Sequence, residues 1–312
     1  MPTTLQPAPP APTALLPKVG MARALVKALR PYQWAKNGLI FLPVALAHRL
    51  TEPALLLDAM LAFAALSLCA SGTYVVNDLL DREQDRLHPI KRRRPFASGA
   101  LSPRAGVVLV PLLIGGAFLV ATALPLVFTA ALVLYLVTTL AYSLLLKRVA
   151  ALDVVVLGGL YALRVMAGAA ATGVPVSEWL LAFSLFFFLC LALLKRYAEL
   201  RLLETELDAR RNGRGYTVED VAMLRGLGPA CGFLAVLVLA LYTTSPEVAS
   251  LYTTPILLWL VTPLLLYWVM HLWLTAHRRA MPDDPVLFAL KDPVSWAVFV
   301  FAAAVVAAAA MF

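Results

Sequence analysis

The chain has 312 residues, of which 62% are hydrophobic and 14% charged, and its formal net charge is +8. A soluble domain is about half apolar and about a quarter charged, so lipid must cover part of this surface. The positive balance points to anionic lipid or an anionic substrate, not to nucleic acid, because the cations stand at the ends of apolar segments.

In chain order, the first twenty residues are rich in Pro, Ala and Thr. They lack a charged start followed by an apolar run, so residues 1–20 read as a disordered tail and not as a signal peptide. A spanning helix needs about 20 mostly apolar residues. About nine candidates follow: Asn37–Ala47 with its flanks, Ala54–Leu80, Ala105–Leu124, Pro125–Leu146, Leu152–Ala171, Glu178–Leu194, Leu227–Thr243, Pro255–Leu274 and Pro293–Met311. The expected fold is therefore all-α, a polytopic membrane bundle forming one domain over residues 21–312. Nine crossings put the four basic connections on the side of the N-terminal tail, and 24 of the 26 Lys and Arg fall there. The exceptions are Arg49 and Arg164. By the positive-inside rule that side is cytoplasmic and the C-terminus lies outside. Cys69, Cys190 and Cys231 sit inside apolar runs without metal-ligand spacing, so they read as small buried hydrophobes.

The end of the second candidate helix carries the chemistry. It reads Tyr74-Val75-Val76-Asn77-Asp78-Leu79-Leu80-Asp81-Arg82-Glu83-Gln84-Asp85. Asp78, Asp81 and Asp85 are spaced i, i+3, i+7 and share one helical face, with Asn77 at its flank. Bare carboxylates on one face repel. Three of them with an amide oxygen suit Mg²⁺, which takes a few carboxylates together with substrate phosphates. Downstream lies His88-Pro89-Ile90-Lys91-Arg92-Arg93-Arg94-Pro95, a cationic run that would meet the remaining phosphate oxygens. Lys91 and Arg94 are the expected contacts, whereas Arg92 and Arg93 also fit a topology signal.

Further along, Tyr142 and Lys147 end the fourth candidate helix at the same mouth. Arg164, deep in an apolar helix, requires a partner. Asp153, three turns away on the same face, is the expected one, with direct substrate contact as the alternative. In the second long loop, Lys195 and Glu199 stand one turn apart. They are either a surface pair or a cation for a phosphate beside an acceptor for hydroxyls or metal.

Asn-Asp-x-x-Asp-x-x-x-Asp, followed by His-Pro-x-Lys-x-x-Arg-Pro and Ser-Gly, resembles the UbiA superfamily of intramembrane prenyltransferases. That family holds Mg²⁺ on a diphosphate with this motif and commonly carries a second DxxxD after its sixth helix. Here that position reads Leu194-Lys195-Arg196-Tyr197-Ala198-Glu199-Leu200. Together with Arg30-Pro31-Tyr32-Gln33-Trp34-Ala35-Lys36-Asn37, this departure is similar to the decaprenyl-phosphate phosphoribosyltransferase branch.

The resemblance implies transfer of 5-phosphoribosyl from phosphoribosyl diphosphate (PRPP) to a polyprenyl phosphate in a bacterial inner membrane, with the site facing the cytoplasm. Asn77, Asp78, Asp81 and Asp85 would hold Mg²⁺. Asp78, Asp81, Lys195 and Glu199 would carry catalysis. Arg30, Gln33, Lys36, Asn37, Asn77, Lys91, Arg94, Lys147, Arg164, Arg196 and Tyr197 would bind substrate. Two alternatives remain: a prenyltransferase using prenyl diphosphate and a lipid-soluble acceptor, and a non-catalytic polyprenyl-phosphate carrier.

Overall fold

The computed structural model describes residues 20–87, 91–202, 214–281 and 284–311. The tail therefore lies outside the described residues, as do His88-Pro89-Ile90. A short amphipathic helix, α1 (Met21–Leu29), is followed by a 3₁₀ segment at Pro31–Phe41 and by α2 (Leu42–Leu46). Then come α3 (Pro53–Leu80), α4 (Arg82–Leu87), α5 (Pro103–Ala121), α6 (Leu126–Leu144), α7 (Leu152–Thr172) and α8 (Glu178–Arg201). The chain continues with α9 (Asp220–Thr243), α10 (Pro246–Leu251), a 3₁₀ turn running into α11 (Val261–His277), α12 (Pro285–Ala289) and α13 (Pro293–Met311).

Among the described residues, eight helices are long and apolar enough to cross a membrane. The ninth expected crossing, at Asn37–Ala47, is built differently: it is the 3₁₀ segment plus α2. Arg30 starts it from a left-handed backbone (φ 52°, ψ 56°), conformational space that costs a non-glycine residue about 1 kcal/mol. Two expected boundaries also move. The eighth helix continues past Leu194 to Arg201, and α9 begins at Asp220 instead of Leu227. Lys195, Arg196 and Glu199 thus ride on a rigid helix end.

Small residues decide how closely the helices approach. On α3, Ala59, Ala62, Ala65, Cys69 and Gly72 are buried, and a Cβ at Gly72 would come within 2.9 Å of Ile114 Cγ1 on α5. On α7, a Cβ at Gly168 would overlap the carbonyl of Ile40. Only glycine lets the 3₁₀ segment lie directly on α7. Elsewhere the ends are capped in the ordinary way: Ser102 and Ser177 accept from Ala105 and Leu180 N–H at 3.2 Å each. The helices alternate in direction, so the ends of α3, α6, α8 and α11 meet the starts of α5, α7, α9 and α13. The first and last thirds join at both ends, through the His48 ring against Tyr252 (4.9 Å) and an ion pair between Lys36 and Asp284.

Candidate active site

The helix carrying the acidic motif does not run straight through it. α3 stops at Leu80, Asp81 caps it, and α4 starts afresh at Arg82, so one continuous face is not formed. Asp81 N–H still donates to Asn77 O (2.9 Å) and Asp85 N–H to Asp81 O (2.8 Å), which keeps the turn compact. Asp78 and Asp85 meet a shared guanidinium. Arg94 Nη1 donates to Asp85 Oδ2 at 2.7 Å and to Asp78 Oδ1 at 3.2 Å. Arg30 Nη2 adds a donor to Asp78 Oδ1 at 2.5 Å. Asp81 points elsewhere, to Lys147 Nζ at 3.4 Å, and stays 28% exposed.

Among the described residues no three acidic, His or Cys side chains are arranged around one metal position. The expected single carboxylate face is thus replaced by carboxylates held apart by cations, which relieves the repulsion that would otherwise oppose it. The donor set nevertheless fits a hard divalent cation. Asp78 Oδ2 is buried and has no hydrogen-bond partner among the described residues, Asp81 has capacity to spare, and the Asn77 amide stands half-buried beside them.

The lead-in segment is pinned from within. Trp34 Nε1 donates to Ser71 Oγ (3.0 Å), and Ser71 donates in turn to Leu29 O (2.8 Å). Arg30 lies over the Tyr74 ring at 5.0 Å. Gln33 Oε1 is buried without a partner among the described residues and so is available to a ligand. Asn37 spends both amide atoms inside: Nδ2 donates to Ser67 Oγ and Oδ1 accepts from Arg164 Nε, each at 3.0 Å. Arg164 also donates to Leu160 O (2.5 Å) and Tyr135 OH (3.1 Å) and lies over the Tyr135 and Tyr161 rings. The expected Arg164–Asp153 pair is therefore absent among these contacts. Three turns of helix separate the two side chains along the axis, and neutral oxygens nearer to hand satisfy the guanidinium.

Asp153 takes other partners. Arg196 Nη2 lies 2.5 Å from Asp153 Oδ2, and both side chains are 0% exposed. Tyr216 OH donates to Asp153 Oδ1 at 2.6 Å and accepts from Ala151 N–H at 3.0 Å. Arg196 also pairs with Glu199, which Arg214 approaches at 3.5 Å while donating to Tyr142 OH at 3.1 Å. Glu199 is thus braced by two arginines and is not paired with Lys195. Lys195, half-buried, acts electrostatically on Lys36 and Asp284 as well as on Glu199. Tyr197 turns away from the site, into the apolar core, with its hydroxyl 2.9 Å from His277 Nδ1 and its ring on Trp273.

Lys91 links the two halves. Burial lowers its pKa, and Arg94 and Asp85 of one cluster and Arg214 and Glu199 of the other all act on it. The structure therefore brings Arg30, Asn77, Asp78, Asp85, Lys91, Arg94 and, through Lys147, Asp81 to one mouth. Glu199 and Arg196 flank it, and Lys36 and Lys195 lie deeper.

The sequence matches the description "UbiA prenyltransferase family" over residues 38–291. The chain belongs to that family. Protein y4nM of Sinorhizobium fredii is 40% identical over 273 residues, covering 86% of this chain and 52% of that protein, so the chain spans about half of that relative's length. Nodulation protein NoeC of Azorhizobium caulinodans is 36% identical over 271 residues, 85% of this chain and 86% of that one. The decaprenyl-phosphate phosphoribosyltransferase of Mycobacterium tuberculosis is 38% identical over 210 residues, 64% of this chain and 68% of that one. A UbiA homologue from Archaeoglobus fulgidus, solved with DMAPP and Mg²⁺, has the same fold: TM-score 0.68, 17% identity, 91% of this chain and 99% of that chain covered.

In this UbiA-family chain, three site residues escape a reading of sequence alone. Arg214 and Tyr216 sit in a polar loop where nothing local distinguishes them from their neighbours. Asp284 carries a local signal, since Asp before Pro285 reads as a helix cap, and it does accept from Val286 and Leu287 N–H at 3.2 and 3.4 Å. That signal does not reveal its second bond, to Lys36. Burial opposes the charged carboxylate of Asp284, but Lys36 and Lys195 outweigh it and hold the group below the ordinary carboxylate range.

Proposed function

We propose that this protein transfers 5-phosphoribosyl from PRPP to a polyprenyl phosphate, releasing diphosphate, at the cytoplasmic mouth of a bacterial inner-membrane bundle. One observation carries the reading: a carboxylate cluster with a spare buried oxygen lies with Arg30, Arg94 and Lys91, while the position of a second acidic motif holds an Arg–carboxylate ion-pair network instead. One acidic cluster suits one diphosphate. The mycobacterial relatives named as decaprenyl-phosphate phosphoribosyltransferases support the same donor and acceptor.

Asn77, Asp78, Asp81 and Asp85 would hold Mg²⁺, which neutralises the diphosphate and makes it a better leaving group. Arg30 and Arg94, whose charge here offsets the carboxylates, would meet phosphate oxygens. A phosphate oxygen of the acceptor attacks the anomeric carbon, forming a carbon–oxygen bond as the bond to diphosphate breaks. No general base is required, because the attacking phosphate is already ionised. The protein contributes alignment on rigid helix ends and charge complementarity at the leaving group. Glu199, held by Arg196 and Arg214, supports the wall of the site, and Gln33 Oε1 offers an acceptor to a ribose hydroxyl.

The test is incubation of the purified protein with Mg²⁺, PRPP and polyprenyl phosphate, following diphosphate release. Release that depends on both substrates is expected. Consumption of a prenyl diphosphate with a lipid-soluble acceptor, while PRPP is neither bound nor turned over, overturns this reading within the same family.

A further inference from the structure

Lys36 and Asp284 lie 248 positions apart in the chain and form an ion pair inside the bundle, 8% and 14% exposed. Two desolvated ions seldom repay their cost by mutual attraction alone. The surroundings are not balanced either. Lys195 acts on both members of the pair, and Arg164 acts on Lys36. Arg164 hydrogen-bonds only neutral oxygens, and Lys195 acts on Lys36, Asp284 and Glu199 without closing a direct ion pair among the described residues. Tyr74 and Tyr161, both near Asp284 and Arg164, bring phenols and no further charge. Lys195 also acts on Glu199, but Arg196 and Arg214 already face that carboxylate, so Lys36, Lys195 and Arg164 against Asp284 leave an excess of positive charge, which a phosphate monoester would offset.

The two partners are also unequally fixed. Asp284 Oδ1 caps α12 through two backbone N–H groups, leaving Oδ2 to Lys36. The carboxylate is therefore set by its helix, and the long lysine comes to it and can leave.

We infer that Lys36 and Lys195 form the seat of the acceptor's phosphate group, and that Asp284 is its resident counter-ion, a specificity-determining residue supplied by the far end of the chain. Asp284 occupies Lys36 in the empty site and gives it up when a phosphate arrives. A free phosphate ion must displace it unaided, whereas a lipid phosphate brings the binding energy of its tail, so the seat discriminates against small anions. The carrier of the phosphate rests on the reaction proposed above; the seat itself does not.

The experiment follows thermal protection of the full-length chain in detergent, without PRPP, by short-chain polyprenyl phosphate, ribose 5-phosphate and inorganic phosphate. Asp284→Asn keeps the size and the cap acceptor. It should lower the half-saturating lipid phosphate about fivefold, because the competing state is removed, and should make inorganic phosphate protective. Lys36→Gln should lose protection by lipid phosphate. The charge swap, Lys36→Asp with Asp284→Lys, should restore part of the ligand-free melting temperature lost in Lys36→Asp, the cap on α12 staying lost, but not the protection. The inference is overturned if Asp284→Asn leaves the half-saturating concentration unchanged, or if the swap restores protection, which would make the pair a tether only. Protection by ribose 5-phosphate in place of lipid phosphate would give the seat to the donor and overturn the acceptor assignment. If the seat responds to lipid phosphate as expected but PRPP yields no diphosphate, the reaction proposed above falls and the seat stands.

Discussion

Two charged clusters lie at the same end of this bundle and are held together in opposite ways. Around Asp153 and Glu199 the carboxylates face arginines: Asp153 Oδ2 lies 2.5 Å from Arg196 Nη2 in an ion pair without hydrogen-bond alignment, Tyr216 holds its other oxygen, and Glu199 has Arg196 and Arg214. Around Asp78 and Asp81 the account is open. Asp78 Oδ2 has no partner among the described residues, and Asp81 meets Lys147 only at 3.4 Å. Both clusters pair carboxylates with arginines. What separates a brace from a binding site here is access: Arg196 and Asp153 are 0% exposed, whereas Asp81 stays 28% exposed.

The largest expected effect tests the open cluster. Asp78→Asn should lower diphosphate release by about 10²–10³-fold, the usual loss when one electrostatic contact to a leaving group is removed, while the melting temperature stays near that of the parent. Normal turnover at limiting Mg²⁺ would erase the contrast between the clusters. The closed cluster should respond in stability instead. Arg196→Ala leaves Asp153 buried beside an empty place and should cost about 3–5 kcal/mol, seen as a lower midpoint of unfolding in detergent. Adding Asp153→Ala should recover part of that loss, because no uncompensated charge then remains. An Arg196→Ala midpoint equal to the parent's would show that the network braces nothing.

A smaller effect sharpens the link between the clusters and the lead-in segment. Gly168→Ala pushes a methyl group into the Ile40 carbonyl and should cost about 1–3 kcal/mol, the range for overpacking. Since that segment carries Lys36 and Asn37, the half-saturating lipid phosphate should rise as well. An unchanged midpoint would mean that α7 and the segment can separate freely. Lys195→Ala should then weaken substrate protection by about tenfold, equivalent to about 1.4 kcal/mol, without lowering the melting temperature of the ligand-free protein. The smallest effect is expected from deleting Met1–Val19, a Pro-rich stretch without apolar periodicity. Turnover and melting temperature should both be retained, and loss of activity despite normal insertion would assign the tail a role.

The sequence by itself determined the membrane bundle, because apolar length is a local property and the bilayer sets one threshold for it. Six of the nine expected crossings keep their positions closely and two more differ only at one end, and the basic connections share one end because the helices alternate. It also marked the acidic and basic runs after α3, since spacing and residue type are readable without contacts. Only the tertiary structure decided the partners. Nothing in residues 153–164 says that Asp153 will take Arg196 and that Arg164 will take Asn37, because a buried ion accepts whichever donor the packing brings within reach. The break at Asp81 and the glycine contact that seats the lead-in segment depend in the same way on neighbours remote in sequence. The pairing of Lys36 with Asp284 is the extreme case. Its two halves become adjacent only when the last helices close against the first, and no local pattern records that closure.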